Sequence, residues 1–236
     1  MDIIHVKGNG PLHGEVKIQG SKNAVLPILA ATILIKGVCR LKNCPRISDV
    51  ECMCRLLISM GCRVYWEKEE LIVNTTALKE SRLPRELVTS MRSSIILLGP
   101  MLARCKEVML DYPGGCVIGA RPIDMHLYLL KLLGATFVVE NEHINGKVNQ
   151  FVGTTIHLPF PSVGATENGI LASVMAKGKT ILTGCAKEPE IQHLCQFLKK
   201  AGAKIEGIGT DCLIIKGVEK LHPVVYKICP DRIVAG

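Results

Sequence analysis

The sequence predicts an α/β domain turned inside out, barrel-like, with helices at the centre and β-sheets outside. Three observations predict it. A helix–strand–helix–strand order recurs three times along the chain. The second helix of each unit ends on a glycine, at Gly61, Gly134 and Gly202, spaced 73 and then 68 residues apart. The first helix of each unit is apolar on every side and so has to be buried all round. One supersecondary unit repeated three times suggests a pseudo-threefold domain. A plain α/β sandwich carries the same string of elements, and the sequence leaves both arrangements open.

The elements follow in order. The three buried helices are predicted over 23–35, 92–103 and 166–176, all rich in Ala, Leu, Ile and Met. Each is followed by a short strand, over 37–41, 107–110 and 179–182, where β-branched and apolar residues gather. The second helices carry a polar face, as in Glu190-Ile191-Gln192-His193-Leu194-Cys195, and belong nearer the surface. Their glycines sit where a helix closes through the left-handed region. Beyond each glycine the pattern becomes strand-like, as in Arg63-Val64-Tyr65-Trp66 and Thr136-Phe137-Val138-Val139.

Composition narrows the function classes. The chain of 236 residues is 48% hydrophobic but only 4% aromatic, so its core is aliphatic. The net charge of +8 suits an anionic partner. The basic residues are dispersed and aromatic platforms for bases are scarce, which argues against nucleic acid. No apolar run is long enough to span a membrane, and from the polar opening Met1-Asp2-Ile3-Ile4-His5 no signal peptide is expected. The eleven cysteines are odd in number and form no CxxC, so free thiols in a reducing cytoplasm are expected, with no metal site.

Candidate chemistry concentrates at helix starts. The stretch from Pro113 through Gly114-Gly115-Cys116 to Arg121-Pro122-Ile123-Asp124-Met125-His126 places a thiol in a glycine-rich loop, with an arginine five residues on. Backbone donors and a fixed cation lower a thiol's pKa and raise its reactivity. Pro122 and Asp124 read as first-turn residues of a helix. The buried helices are preceded by Gly20-Ser21-Lys22-Asn23, by Thr89-Ser90-Met91-Arg92 and by Ser162-Val163-Gly164-Ala165-Thr166-Glu167-Asn168. In a threefold array these ends converge, and free N–H groups with Lys22, Arg92 and Arg121 would make an anion site.

With those segments in view, the chain resembles the UDP-N-acetylglucosamine 1-carboxyvinyltransferases, a family of enolpyruvyl transferases. The resemblance is carried by Gly20 through Ala24, Met91 through Ser94, Pro113 through His126, Phe160 through Asn168, Lys187 through Ile191 and Pro230 through Arg232. It implies transfer of the enolpyruvyl group of phosphoenolpyruvate to the 3-hydroxyl of UDP-N-acetylglucosamine, with release of phosphate, the first committed step of peptidoglycan synthesis. It also implies that Cys116 is the proton donor, the residue that forms a phosphoenolpyruvate adduct and the target of fosfomycin. Lys22, Asn23 and Arg121 match residues that meet phosphoenolpyruvate, Lys22 in a catalytic role. Arg92, Arg121, Pro122, Ile123, Asp124, Met125, His126, Ser162, Val163 and Gly164 match the cradle for UDP-N-acetylglucosamine. No cofactor is implied.

Members of that family run to roughly four hundred residues in two similar domains. The resemblance therefore divides this chain into residues 1–20, which belong with the other domain, a three-repeat domain over 21–229, and a crossover stub over 230–236, where Val234 replaces a residue commonly Glu. The expectation is half an active site, a cationic inner face and little turnover alone, with a separately encoded second half as one partner. A non-catalytic UDP-sugar binding module is the alternative. A thiol-based redox or metal sensor is a third reading, suggested by the cysteines alone.

Overall fold

The computed structural model describes residues 3–8, 10–11, 13–114 and 123–236. The first repeat comprises α1 (Lys22–Thr32), β1 (Val38–Lys42), α2 (Ser48–Ser59), β2 (Arg63–Glu67) and β3 (Glu70–Asn74). After α3 (Arg85–Ser90), the second comprises a 3₁₀ helix (Arg92–Leu97), α4 (Leu98–Cys105), β4 (Glu107–Asp111), α5 (Asp124–Leu132), β5 (Thr136–Glu140) and β6 (His143–Lys147). The third follows β7 (Thr155–His157) and comprises α6 (Val163–Ser173), β8 (Lys179–Thr183), α7 (Pro189–Lys200), β9 (Lys204–Glu206) and β10 (Cys212–Lys216). Strand β11 (Val225–Lys227) and the short α8 (Arg232–Ala235) complete the described elements.

Each repeat thus holds one strand more than the sequence pattern predicts, because the strand after each glycine turns back in a hairpin. The closing strands β3, β6 and β10 lie in the middle, each antiparallel to both its neighbours. The outer edge of each sheet comes from the chain that follows the preceding repeat. Arg82 bridges Met109 of β4, β7 runs parallel to β8, and β11 runs parallel to β1. The third connection leads back to the first sheet, so the repeats close into a ring. This cyclic closure is what separates a pseudo-threefold domain from a plain sandwich.

Burial agrees with helices inside. Every residue of α1 from Ala24 to Thr32 is buried, as is every residue of α6 from Ala165 to Ser173. By contrast α7 buries Ile191, Leu194, Cys195, Phe197 and Leu198 along one side and exposes its lysines. Two of the inner helices start earlier than periodicity suggests, because Ser21 and Ser162 cap them by accepting from Ala24 and Ala165 N–H at 3.4 Å. They also stop earlier. Past Thr32 the chain tightens into i→i−3 bonds, Ile33 N–H to Ala30 and Leu34 N–H to Ala31.

The inner helix of the second repeat is not the single α-helix expected over 92–103. Pro100 has no N–H and its ring would clash with the Ile96 carbonyl in a continuous α-helix. The segment instead begins as a 3₁₀ helix and restarts at Leu98, which puts Pro100 in a first turn where no N–H is needed. The closing glycines behave as predicted, with φ of +92°, +110° and +106° at Gly61, Gly134 and Gly202.

The chain enters and leaves the ring at one node. Gly20 bridges Pro230, Ser21 N–H donates to the Cys229 carbonyl at 2.8 Å, and Asp231 N–H to the Gln19 carbonyl at 2.9 Å. The Asp231 carboxylate then accepts from Lys22, Ile233 and Val234 N–H at 3.1, 2.9 and 3.3 Å. Burial raises its pKa, yet these donors and the Arg232 charge outweigh that and hold the acid below its ordinary value.

Candidate active site

A cavity of about 860 Å³ opens among the starts of α1, the 3₁₀ helix, α5 and α6, within the size range of sites for whole small ligands. Of the predicted site residues, Asn23, Arg92, Asp124, Met125, His126, Ser162, Val163 and Gly164 line it. Lys22 is not among the lining; its ammonium is held 3.0 Å from Asp49 on α2. Ile123 is 1% exposed and packs in the core at the cap of α5. Cys116, Arg121 and Pro122 lie outside the described residues.

The wall formed by α6 suits an anion. Ser162 satisfies Ala165 N–H and Thr166 N–H bonds the Ser162 carbonyl, which leaves Val163 and Gly164 N–H without protein acceptors among the described residues. Helix N-termini with free N–H groups attract negative charge. Arg92 stands at the start of the facing 3₁₀ helix and donates to the Pro113 carbonyl at 3.3 Å, which ties Pro113 to the cavity. On α1, Pro27 lacks the N–H that would have bonded the Asn23 carbonyl, so that carbonyl has no intrahelical partner where α1 meets the cavity.

His126 is fixed by a network centred on Asn168. The Asn168 amide accepts from Gly99 N–H at 2.7 Å and donates to the Ile95 carbonyl at 3.0 Å and to His126 Nδ1 at 2.8 Å. The Gly99 donor fixes the amide orientation, so Nδ1 must accept and the proton sits on Nε2. Burial, and after it the Arg92 guanidinium, push the imidazolium down to about 4, so His126 is a neutral Nε2–H donor at pH 7. The network needs helices in close approach: a Cβ at Gly99 would stand 2.8 Å from the Asn168 carbonyl oxygen. A Cβ at Gly164 would stand 3.0 Å from His126 Cε1.

The cavity lining also holds three glutamates. Glu167, Glu188 and Glu190 line it together with Arg232. Arg232 pairs with Glu190 through two contacts, Nε to Oε1 at 3.0 Å and Nη2 to Oε2 at 3.4 Å. Burial, followed by the charges of Glu190 and Glu188, pushes Glu167 up to about 8. Sequence reasoning assigned no role to these acids. Only their position beside the capped helix starts, in segments 160–168 and 187–191, could have pointed to them. Among the described residues no group of His, Cys, Asp and Glu is placed to hold a metal ion, and no helix is long and apolar enough to cross a membrane.

The profile of the family described as EPSP synthase (3-phosphoshikimate 1-carboxyvinyltransferase) matches residues 6–236. The chain belongs to the EPSP synthase family. Within it, the chain is 48% identical over its full 236 residues to UDP-N-acetylglucosamine 1-carboxyvinyltransferase 2 of Caldanaerobacter subterraneus, covering 57% of that protein. It is 45% identical over its full length to UDP-N-acetylglucosamine 1-carboxyvinyltransferase of Oleidesulfovibrio alaskensis, covering 56%. The chain therefore spans a little over half the length of these relatives. The fold matches that of the enolpyruvyl transferase NikO from Streptomyces tendae, with a TM-score of 0.84 and 23% identity over 97% of this chain and 54% of that one. EPSP synthase from Acinetobacter baumannii aligns with a TM-score of 0.77 and 20% identity over 94% of this chain and 51% of that one.

Proposed function

We propose that this chain is the sugar-nucleotide-binding part of an enolpyruvyl transferase that moves the enolpyruvyl group of phosphoenolpyruvate onto the 3-hydroxyl of UDP-N-acetylglucosamine. The observation that carries the reading is the convergence of Arg92, His126, Ser162 and Gly164 on one cavity with an anion-binding helix start. The names of the relatives at 45–48% identity support the substrate assignment. In the reaction, the sugar hydroxyl attacks C2 of phosphoenolpyruvate and loses its proton while Cys116 protonates the methylene carbon. The resulting tetrahedral ketal then expels phosphate and loses a methyl proton, which restores the double bond.

In this reading Val163 and Gly164 N–H, Arg92 and the His126 Nε2–H hold the diphosphate and its neighbours, and preorganised donors offset the ligand's charge. Arg121, Pro122, Ile123, Asp124 and Met125 complete the nucleotide cradle. Lys22 and Asn23 face phosphoenolpyruvate, and the Asp49 contact holds the Lys22 ammonium in place until an anion arrives. Residues 21–229 form the three-repeat domain, with 1–20 belonging to a second domain and 230–236 a crossover stub between the two; the node at Gly20 and Pro230 supports those boundaries. A second domain supplies the rest of the site, so the isolated chain turns over slowly or not at all.

The test pairs two readouts. Fosfomycin is expected to add one equivalent to the protein, at Cys116, faster with UDP-N-acetylglucosamine present, as read by peptide mass. Phosphate release from phosphoenolpyruvate by the chain alone should be negligible. Absence of labelling would refute the role of Cys116, and robust turnover by the isolated chain would refute the shared site.

A further inference from the structure

The acids in the cavity lining have no part in holding an anion, yet Glu167 and Glu190 are buried. Glu167 sits on α6 with 3% of its surface exposed, lines the cavity, and takes no hydrogen bond or ion pair from any described residue. In the same lining, Glu188 Oε2 is shut off from solvent and has no hydrogen-bond partner among the described residues. Glu190, the third acid, is already occupied by Arg232. A carboxyl oxygen shut off without a partner, as at Glu188, is costly, and Glu167 lines the cavity without one, so the arrangement calls for something that donates to them.

A metal ion does not fit, since no group of acids here is placed to hold one. A cationic ligand does not fit either, because Arg92, Arg232 and the α6 start share the same cavity. A neutral group rich in O–H and N–H donors, joined to an anion, fits both the acids and the cationic groups of the lining. We propose, resting on the sugar-nucleotide reading above, that Glu167 and Glu188 are specificity-determining residues that hydrogen-bond the hydroxyls of the ligand's sugar. A Glu167 carboxyl that keeps its proton can donate to a hydroxyl, and an oxygen of Glu188 can accept from one. The raised pKa of Glu167, at about 8, agrees with this. The charged and titratable groups that line the cavity with it are Glu188, Glu190, Arg232, Asp124, His126 and Arg92.

The test measures, by calorimetry on the whole chain, affinity for UDP-N-acetylglucosamine and for UDP, a probe that keeps the anion and lacks the sugar. Wild type is expected to favour the sugar nucleotide. Glu167→Leu should cut that preference at least tenfold and change UDP affinity less than twofold, because a site built to bond hydroxyls loses most when its partner is removed. Glu167→Gln, of the same shape, should keep the preference within threefold at pH 7. It should also remove the decline that wild type shows above about pH 8, where Glu167 ionises beside Glu188. If both variants keep the wild-type preference and its pH dependence, the inference is overturned. If wild type binds UDP but prefers the sugar nucleotide no more than UDP, the sugar contact alone fails. If it binds neither, the sugar-nucleotide reading fails, and this inference with it.

Discussion

Replacing Glu167 by Gln should make stability depend on pH in a way set by one buried proton. Glu167 has an ordinary pKa of 4.5 when unfolded and about 8 when folded, because burial and then the charges of Glu190 and Glu188 oppose ionisation. Between these values the folded state binds a proton that the unfolded state does not. Folding stability therefore falls as pH rises through that window and levels off above it. At about 1.4 kcal/mol per pH unit, the interval from 4.5 to about 8 corresponds to roughly 5 kcal/mol as an upper bound. Wild type and Glu167→Gln should thus differ little near pH 4.5, while at pH 8.5 the variant should be more stable by several kcal/mol. His126 acts oppositely, since its depressed pKa of about 4 costs stability as pH falls from 6.5 toward 4. It is present in both proteins and cancels in the difference. Urea denaturation at pH 5, 7 and 8.5 is the assay. A difference between the two proteins that stays within about 1 kcal/mol across those pH values, of the order of a single ordinary hydrogen bond, would refute the assignment.

Two further substitutions probe how the site is held. Asn168→Ala removes an acceptor from Gly99 N–H and donors from the Ile95 carbonyl and His126 Nδ1; leaving such buried groups unpaired should cost about 3 kcal/mol, seen as a lowered melting temperature. Gly164→Ala brings a methyl to 3.0 Å from His126 Cε1; it should leave the melting temperature nearly unchanged and weaken UDP-N-acetylglucosamine binding about tenfold, of the order expected when a donor is displaced, as read by calorimetry.

The architecture was legible where a residue type has one mechanical reading. Gly61, Gly134 and Gly202 marked three helix ends because a positive φ selects glycine, and the apolar runs of α1 and α6 marked the centre. The hairpin strands β3, β6 and β10 escaped notice because a strand returning on its neighbour needs no new signal beyond a short turn. The ring closure escaped it too, since pairing Val225 with Arg40 joins residues far apart in sequence. In the site, Ser162 and His126 were expected from the family resemblance that segments 160–168 and 113–126 carry. Glu167 was not, because an acid on an apolar helix looks the same in sequence whether it faces solvent or a buried cavity. Its meaning comes from Glu188 and Glu190, which only the packing of α6 against α7 brings near.

In the proposed function, the cavity at the start of α6 receives a sugar nucleotide. Calorimetric titration of the chain with UDP-N-acetylglucosamine tests it most directly. Saturable binding of one ligand per chain, weakened by Gly164→Ala, is the predicted result. No binding at millimolar ligand, or binding that Gly164→Ala leaves untouched, would contradict it.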